Sequence, residues 1–167
     1  MGMPVTVTVD DYLVFDNGYN SLEFAGLGTD GSLWGPILEK AAAKLYGNYE
    51  MLQGGWMGPA VHMLTGAPYF ETWHEGDSDE EAEKMWRYVK DKLDENWMVT
   101  TASMYGTGRD SDYNELGIPN NHAFTVLGTY EVLNGVKLYK MRNPWGSEKY
   151  KGDWSDNSEL WTEELKR

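Results

Sequence analysis

The chain has 167 residues, of which 41% are hydrophobic and 14% aromatic, a composition that favours one packed domain over residues 1–167. Its net charge of −13 disfavours nucleic acid as a partner, because binding nucleic acid requires Lys and Arg to neutralise phosphates. No apolar run approaches the roughly 20 residues of a membrane span, so we expect no transmembrane segment. The absence of cysteine excludes disulfides and thiolate metal sites within the chain and is compatible with an intracellular protein.

The first third of the chain predicts a strand, a loop and a helix. Residues 5–9 alternate between Val and polar side chains, which is typical of a half-buried strand. The Gly-rich residues 17–32 lack the strand-to-helix context of a phosphate-binding loop, so we predict an ordinary loop there. A helix is expected over residues 33–46, with Ser32 as its N-cap and Gly47 as its C-terminal glycine.

The middle of the chain predicts a second, longer helix and a strand. A short helical turn is expected at residues 59–64. The helix over residues 79–96 begins with a capping box formed by Ser78 and Glu81. The acidic run at its start suits a helix N-terminus, where the macrodipole favours negative charge, and needs no bound cation. Residues 97–103 then read as a strand.

The last third of the chain predicts a loop and a β-hairpin. Residues 105–121 contain several Gly and a Pro, and loops of this length in compact domains are often functional. Two strands follow, over residues 122–133 and 136–142. They are joined by Asn134-Gly135, which is the strongest short hairpin signal.

Two residues at the open end of this hairpin point to a specific chemistry. His122 begins the first strand and Asn143 follows the second. A thiol protease needs an imidazole that deprotonates its cysteine and later protonates the leaving amine. It also needs a polar group, such as an Asn carbonyl, that fixes the tautomer and the ring plane of that imidazole. Trp145 could exclude water from such a pair and strengthen it, or it could be an ordinary core residue.

The predicted register of the hairpin leaves a gap between these two residues. A two-residue turn pairs Leu133 with Val136, which sets Asn143 opposite Val126, four residues from His122. That separation is roughly 13 Å at about 3.3 Å per residue. A bulge near Gly128-Thr129, strand curvature, or bending of the chain at Pro144 is needed to close it.

Motifs over most of the chain share one family pattern. The sequence Asn143-Pro144-Trp145-Gly146 follows His122-Ala123 by about 20 residues. Four further segments agree with the same pattern: Val7 to Asp11, Gly31 to Glu50, Leu52 to Gly55, and Lys151 to Asp156. Together they resemble the second half of the protease core of the calpain family of cysteine proteases, and the similarity covers about residues 5–161.

The resemblance implies an α+β, papain-like fold in which an antiparallel, barrel-like β-sheet with flanking helices forms one of two protease subdomains. The catalytic Cys and an oxyanion-hole Gln would lie on the other, N-terminal subdomain of the same parent chain. His122 would be the general base and acid, Asn143 would orient it, and Trp145 would shield the pair, with Gly54 and Gly55 beside the substrate cleft. This chain would then be the inactive half of a cytoplasmic endopeptidase that cleaves proteins or peptides.

The resemblance also implies calcium binding in the full-length protein, by carboxylates just after the Asn motif. Asp156 matches one such ligand position, whereas the other nearby acid position is Lys149, beside Glu148. Calcium prefers about six to eight oxygen ligands, and an ammonium group within the shell would oppose binding. We therefore expect no cofactor and no tight calcium site in this chain, and little effect of calcium on its melting temperature.

Two other functions are left open. A non-catalytic calpain homologue would use the same fold as a binding or regulatory module, and Ser, Ala or Lys in place of the catalytic Cys of the parent would indicate it. A metal hydrolase has little support, because His62, His74 and His122 lack the i,i+4 spacing of helical metal ligands. His62 and His74 are interpreted as ordinary structural or exposed side chains.

Overall fold

A computed structural model describes residues 3–74, 76, 78–103, 109–132, 135–147 and 149–165. The chain divides into two compact units, Met1–Glu71 and Thr72–Arg167, which are described separately. Both units combine helices with antiparallel strand pairs, as the predicted α+β class requires. That residues 1–167 form a single domain stays a prediction.

The first unit contains a short hairpin followed by helices. Its elements are β1 (Phe15–Asp16), β2 (Ser21–Leu22), α1 (Trp34–Tyr46), a 3₁₀ helix (Tyr49–Leu52) and α2 (Met57–Thr65). The helix predicted over residues 33–46 is confirmed as α1, although Leu33 and not Ser32 is its N-cap. Gly47 ends α1 with a φ of 114°, a conformation that favours glycine. The short helix predicted at residues 59–64 lies within α2.

The strand predicted over residues 5–9 is wrong, because these residues have an irregular conformation. The side chain of Val5 is 73% exposed, and the carbonyl oxygen of Thr8 accepts a hydrogen bond from Lys44 Nζ at 2.6 Å. Alternation of apolar and polar residues favours a strand only where a second strand supplies the backbone hydrogen bonds.

The second unit contains one long helix and a three-stranded antiparallel sheet. Its elements are α3 (Asp79–Asp94), β3 (Val99–Ser103), β4 (His122–Val132) and β5 (Val136–Arg142), and the sheet order is β3-β4-β5. The predicted helix and all three predicted strands are therefore confirmed. Ser78 caps α3, since its Oγ accepts a hydrogen bond from the Glu81 backbone N–H at 3.2 Å. The helix packs against β3 and β4, and Trp86 is its most deeply buried residue.

The turn between β4 and β5 is longer by one residue than the sequence predicts. Val136 pairs with Val132, so three residues connect the strands and the predicted pairing of Leu133 with Val136 is wrong. Leu133 and Asn134 themselves lie outside the described residues. Gly135 has a φ of 76°, and three-residue hairpin loops commonly place one residue in this left-handed region.

A β-bulge interrupts the pairing of β4 with β5. Gly128 pairs with Lys140, and Val126 pairs with the next residue of β5, Met141, so that Leu127 is the extra residue of β4. Of the three ways to close the gap between His122 and Asn143 that the sequence analysis names, the structure thus contains the bulge near Gly128. Bulges increase the local twist of a strand and often lie beside functional sites.

The described strands do not form a closed sheet, so the barrel-like arrangement is not part of the observed fold. β3 and β5 are the outer strands of the three-stranded sheet, and β1 and β2 form a separate pair. Among the described helices, none combines the length and the apolar character that crossing a bilayer requires.

Candidate active site

His122 and Asn143 are hydrogen-bonded to each other in the second unit. His122 Nε2 lies 2.9 Å from Asn143 Oδ1. His122 is buried, with only 7% of its surface exposed. The backbone of His122 is fixed at the same place, because its N–H donates to Ser103 Oγ at 3.2 Å. The structure therefore brings together the two residues that the sequence analysis selects.

The turn and the bulge of the hairpin explain how the predicted gap is closed. Arg142 pairs with Thr125, so Asn143, the next residue, comes level with Phe124. The three-residue turn and the bulge each change the register by one residue, and the separation from His122 falls from four residues to two. Two residues correspond to roughly 7 Å along the strand, and residues two apart share one face of a sheet. An imidazole and a carboxamide can span that distance.

Asn143 is held by the turn that follows β5. Its carbonyl oxygen accepts a hydrogen bond from the Gly146 N–H at 3.1 Å, and Gly146 has the left-handed φ of 69° that glycine tolerates. Its side-chain Oδ1 also accepts from the Trp145 backbone N–H at 3.1 Å. Because a backbone N–H can only donate, this second bond identifies Oδ1, and not the amide nitrogen, as the atom that faces His122.

The identity of that atom determines the tautomer of His122. Oδ1 can only accept, so Nε2 of His122 must be the donor in the 2.9 Å bond. In a neutral imidazole the other nitrogen, Nδ1, then carries the lone pair and can accept a proton. The hydrogen bond thus makes Nδ1 the basic nitrogen of this histidine.

Two aromatic rings enclose the imidazole. The Trp145 ring centroid lies 4.1 Å from that of His122 with an interplanar angle of 42°, and Phe124 makes an edge contact at 4.9 Å and 89°. Trp145 is 42% exposed and Phe124 is 9% exposed, so the indole lies on the solvent side and the phenyl ring on the core side. This enclosure reduces the access of water and strengthens the hydrogen bond to Asn143.

The loop before β4 makes contacts around the candidate site that the sequence analysis does not predict. Its described part runs from residue 109 to 121, and residues 105–108 of the predicted loop lie outside the described residues. Tyr113 makes an edge contact with Trp145 at a centroid distance of 6.3 Å, and Lys149 Nζ lies 4.4 Å from the centre of the Tyr113 ring. Ser103 Oγ, which accepts from His122, donates to the carbonyl of Pro119 at 2.5 Å. No periodicity or motif in the sequence predicts these contacts.

Gly54 and Gly55 belong to the first unit, between the 3₁₀ helix and α2. A Cβ added at either residue would meet no atom within 4 Å, so neither glycine is required by a close approach within that unit. Their predicted position beside a substrate cleft stays a prediction.

The role of Asp156 as a calcium ligand stays a prediction. Asp156 is exposed in the irregular segment after β5, and Glu148 lies outside the described residues. The ammonium group of Lys149 lies over the Tyr113 ring, 4.4 Å from its centre. Among the described parts of the chain, no group of three or more His, Cys, Asp or Glu is arranged to hold a metal ion.

Comparison with known proteins identifies the family. The family model described as calpain family cysteine protease matches residues 1–167. The chain is 35% identical over 166 residues to the calpain-type cysteine protease DEK1 of Zea mays, covering 97% of this chain and 8% of that protein. It is 31% identical over 163 residues to human calpain-12, covering 96% of this chain and 22% of that protein. The chain thus spans only a small part of the length of the curated relatives it matches, and over its own length it belongs to the calpain family of cysteine proteases.

Proposed function

We propose that the chain supplies the His/Asn half of a Cys–His–Asn active site in a calpain-like cysteine endopeptidase. The observation that carries this proposal is the 2.9 Å hydrogen bond between His122 Nε2 and Asn143 Oδ1 at a buried position on β4. The chain contains no cysteine, so the nucleophile would come from another part of a parent polypeptide. The sheet described here would then belong to a larger, barrel-like subdomain.

The proposed mechanism assigns the proton transfers to Nδ1 of His122. In the resting state Nδ1 accepts the thiol proton of the cysteine, and the thiolate attacks the carbonyl carbon of the scissile peptide bond. The imidazolium then returns this proton to the leaving amine as the C–N bond breaks and a thioester remains. In the second half of the cycle His122 removes a proton from water, which attacks the thioester, and finally returns the proton to the departing sulfur.

The two neighbours of His122 would support these steps without exchanging protons. Asn143 holds the imidazole in the Nε2–H tautomer and stabilises the imidazolium, because its Oδ1 accepts from Nε2 in both protonation states. Trp145 keeps water away from that hydrogen bond. Gly54 and Gly55 are proposed to lie beside the substrate, and the substrates would be proteins or peptides cleaved in the cytoplasm.

Peptide hydrolysis by the parent protein tests the assignment. His122→Ala should lower kcat by about 10²-fold or more, the contribution typical of a positioned general base. Asn143→Ala should lower kcat less, since the imidazole remains but loses its fixed tautomer. His74→Ala, the substitution of an exposed histidine of the same unit, is the matched control and should leave kcat unchanged.

Two results would contradict the proposal. Peptidase activity of the 167-residue chain alone would show that no external thiol is needed. A parent with Ser, Ala or Lys at the expected cysteine position, and no thiol that reacts with iodoacetamide in the native state, would favour a non-catalytic binding or regulatory module. The Nε2–H tautomer can be checked separately in the chain, by the ¹⁵N chemical shifts of the His122 ring.

A further inference from the structure

The described loop of residues 109–121 is attached to the segment that follows Asn143. The Lys151 backbone N–H donates to the Leu116 carbonyl at 2.9 Å. Gly117, with a φ of 80°, approaches so closely that a Cβ there would lie 2.0 Å from the Lys149 carbonyl oxygen. Only glycine fits at this position, both because of its φ and because of the neighbouring backbone. The loop and the segment therefore form one packed structure.

In this packed structure the ammonium group of Lys149 and three aromatic rings contact one another in sequence, and the last ring is the His122 imidazole. Lys149 Nζ lies 4.4 Å from the centre of the Tyr113 ring, and the Tyr113 ring meets Trp145 edge-on at 6.3 Å and 69°. Trp145 in turn contacts the His122 imidazole at 4.1 Å. A cation within about 6 Å of a ring and an edge-to-face pair at about 4.5–7 Å are both attractive and directional arrangements. The side chains of the loop thus reach His122 through Trp145.

We infer that Tyr113 is a positioning residue for His122, acting through Trp145, with Lys149 fixing the plane of the Tyr113 ring. Trp145 is 42% exposed and lies in a turn, so contacts on its outer side decide where its indole rests. Tyr113 supplies such a contact from the loop side. The consequence for catalysis rests on the proposed function, whereas the effect on the geometry of His122 does not.

The ring of Tyr113, and not its hydroxyl group, carries this role. Both contacts, to the Lys149 ammonium and to the Trp145 indole, are contacts of the aromatic ring itself. Tyr113→Phe should therefore preserve the geometry of His122, while Tyr113→Ala should not. Tyr130→Ala is a matched control, because Tyr130 is an exposed tyrosine on the part of β4 remote from His122.

The geometry can be measured in the 167-residue chain by NMR of the His122 ring protons, which the Trp145 ring current shifts. Tyr113→Ala should move these signals toward their positions in Trp145→Ala, whereas Tyr113→Phe and Tyr130→Ala should leave them in place. Lys149→Met removes the ammonium charge and leaves the Tyr113 ring in the chain. It should move the His122 signals in the same direction as Tyr113→Ala, by a smaller amount. If Tyr113→Ala fails to fold, Lys149→Met decides the question.

The parent enzyme supplies the second measurement. Tyr113→Ala should lower kcat about three- to tenfold with little change in KM, as expected for the loss of one aromatic contact that positions a base. Unmoved His122 signals in folded Tyr113→Ala, or equal effects of Phe and Ala at this position, would overturn the inference. A parent that is inactive even with the native sequence would contradict the proposed function alone, since the NMR result in the chain would stand.

Discussion

The two halves of β4 are held in different ways. Residues 122–126 all pair with β3, Thr125 and Val126 also pair with β5, and the side chains of this half alternate between buried and half-buried. Among the described strands, residues 128–132 pair with β5 alone, and the side chains of residues 127–132 are half-buried or exposed. The bulge at Leu127 marks the boundary. His122 lies on the half that pairs with β3 and carries the buried side chains.

The difference shows which part of the hairpin positions the histidine and which part sets the register. A side chain on a central, packed strand is held more rigidly than one on a loop or an edge, and a general base must be held within a fraction of an ångström. The outer half of β4 supplies no side chain to the pair. Its turn and bulge set how far β5 extends past His122 and so bring Asn143 within reach.

The largest effect that tests this comparison is expected at Phe124. Its ring is 9% exposed and contacts the His122 imidazole edge-on at 4.9 Å. Phe124→Ala should reduce the free energy of unfolding of the chain by about 3 kcal/mol, the typical cost of a cavity left by a buried Phe. Denaturation by urea, followed by circular dichroism, measures it.

Tyr130→Ala on the outer half is the control for Phe124→Ala. The Tyr130 side chain is 51% exposed, so its removal should cost less than about 1 kcal/mol. Equal costs at the two positions would mean that the two halves of β4 are equally important for stability. The distinction between a packed half and a register-setting half would then be wrong.

The helix α3 could be predicted from the sequence because its signals are local. Ser78 and Glu81 stand three residues apart, the apolar stripe recurs at helical spacing, and the predicted end differs from the observed end at Asp94 by only two residues. His122 and Asn143 were recognisable by their chemistry and by the motifs around them. Each of these features depends on residues close together in the sequence.

The contact distance in the candidate site could not be predicted, because the register of a hairpin is not local. It depends on the turn length and on the bulge at Leu127, which together place Asn143 level with Phe124. The contacts of Tyr113 and Ser103 could not be predicted from the sequence for a similar reason. Their partners, Trp145 and Pro119, are far from them in the sequence, and a loop without periodicity does not indicate which of its side chains turn inward.

A smaller effect is expected at Ser103, which connects β3 to the start of β4. Its Oγ accepts from the His122 N–H at 3.2 Å and donates to the Pro119 carbonyl at 2.5 Å. Ser103→Ala should cost about 1 kcal/mol for the lost hydrogen bonds and lower the melting temperature by roughly 2–4 °C. Ser103→Thr keeps the hydroxyl group and should lose less. If Ala and Thr are equivalent, the hydroxyl group does not contribute to fixing this end of β4.

The smallest effect is expected on the outer half of the hairpin, where Lys137 of β5 forms an ion pair with Glu83 of α3. The hydrogen bond from Lys137, followed by that from Arg87, lowers the pKa of Glu83 below its usual value. A carboxyl with a lower pKa in the folded chain stabilises the fold above its unfolded pKa, near 4.5, and this stabilisation is lost as the pH falls through the folded pKa. Lys137→Met should therefore lower the melting temperature at neutral pH by less than Ser103→Ala does, because the pair is partly exposed.

The pH dependence distinguishes this ion pair from a general loss of charge. The difference in melting temperature between the native chain and Lys137→Met should be constant above about pH 6 and should shrink as the pH falls from 4.5 through the lowered pKa of Glu83 in the folded chain, below which Glu83 is protonated in both proteins. Lys140→Met, at another position of β5, changes the net charge equally and should not show this convergence. The ¹⁵N shifts of the His122 ring should be the same in Lys137→Met and in the native chain. A change in them would mean that the outer half of the hairpin positions His122 directly, and not only through the register of β5.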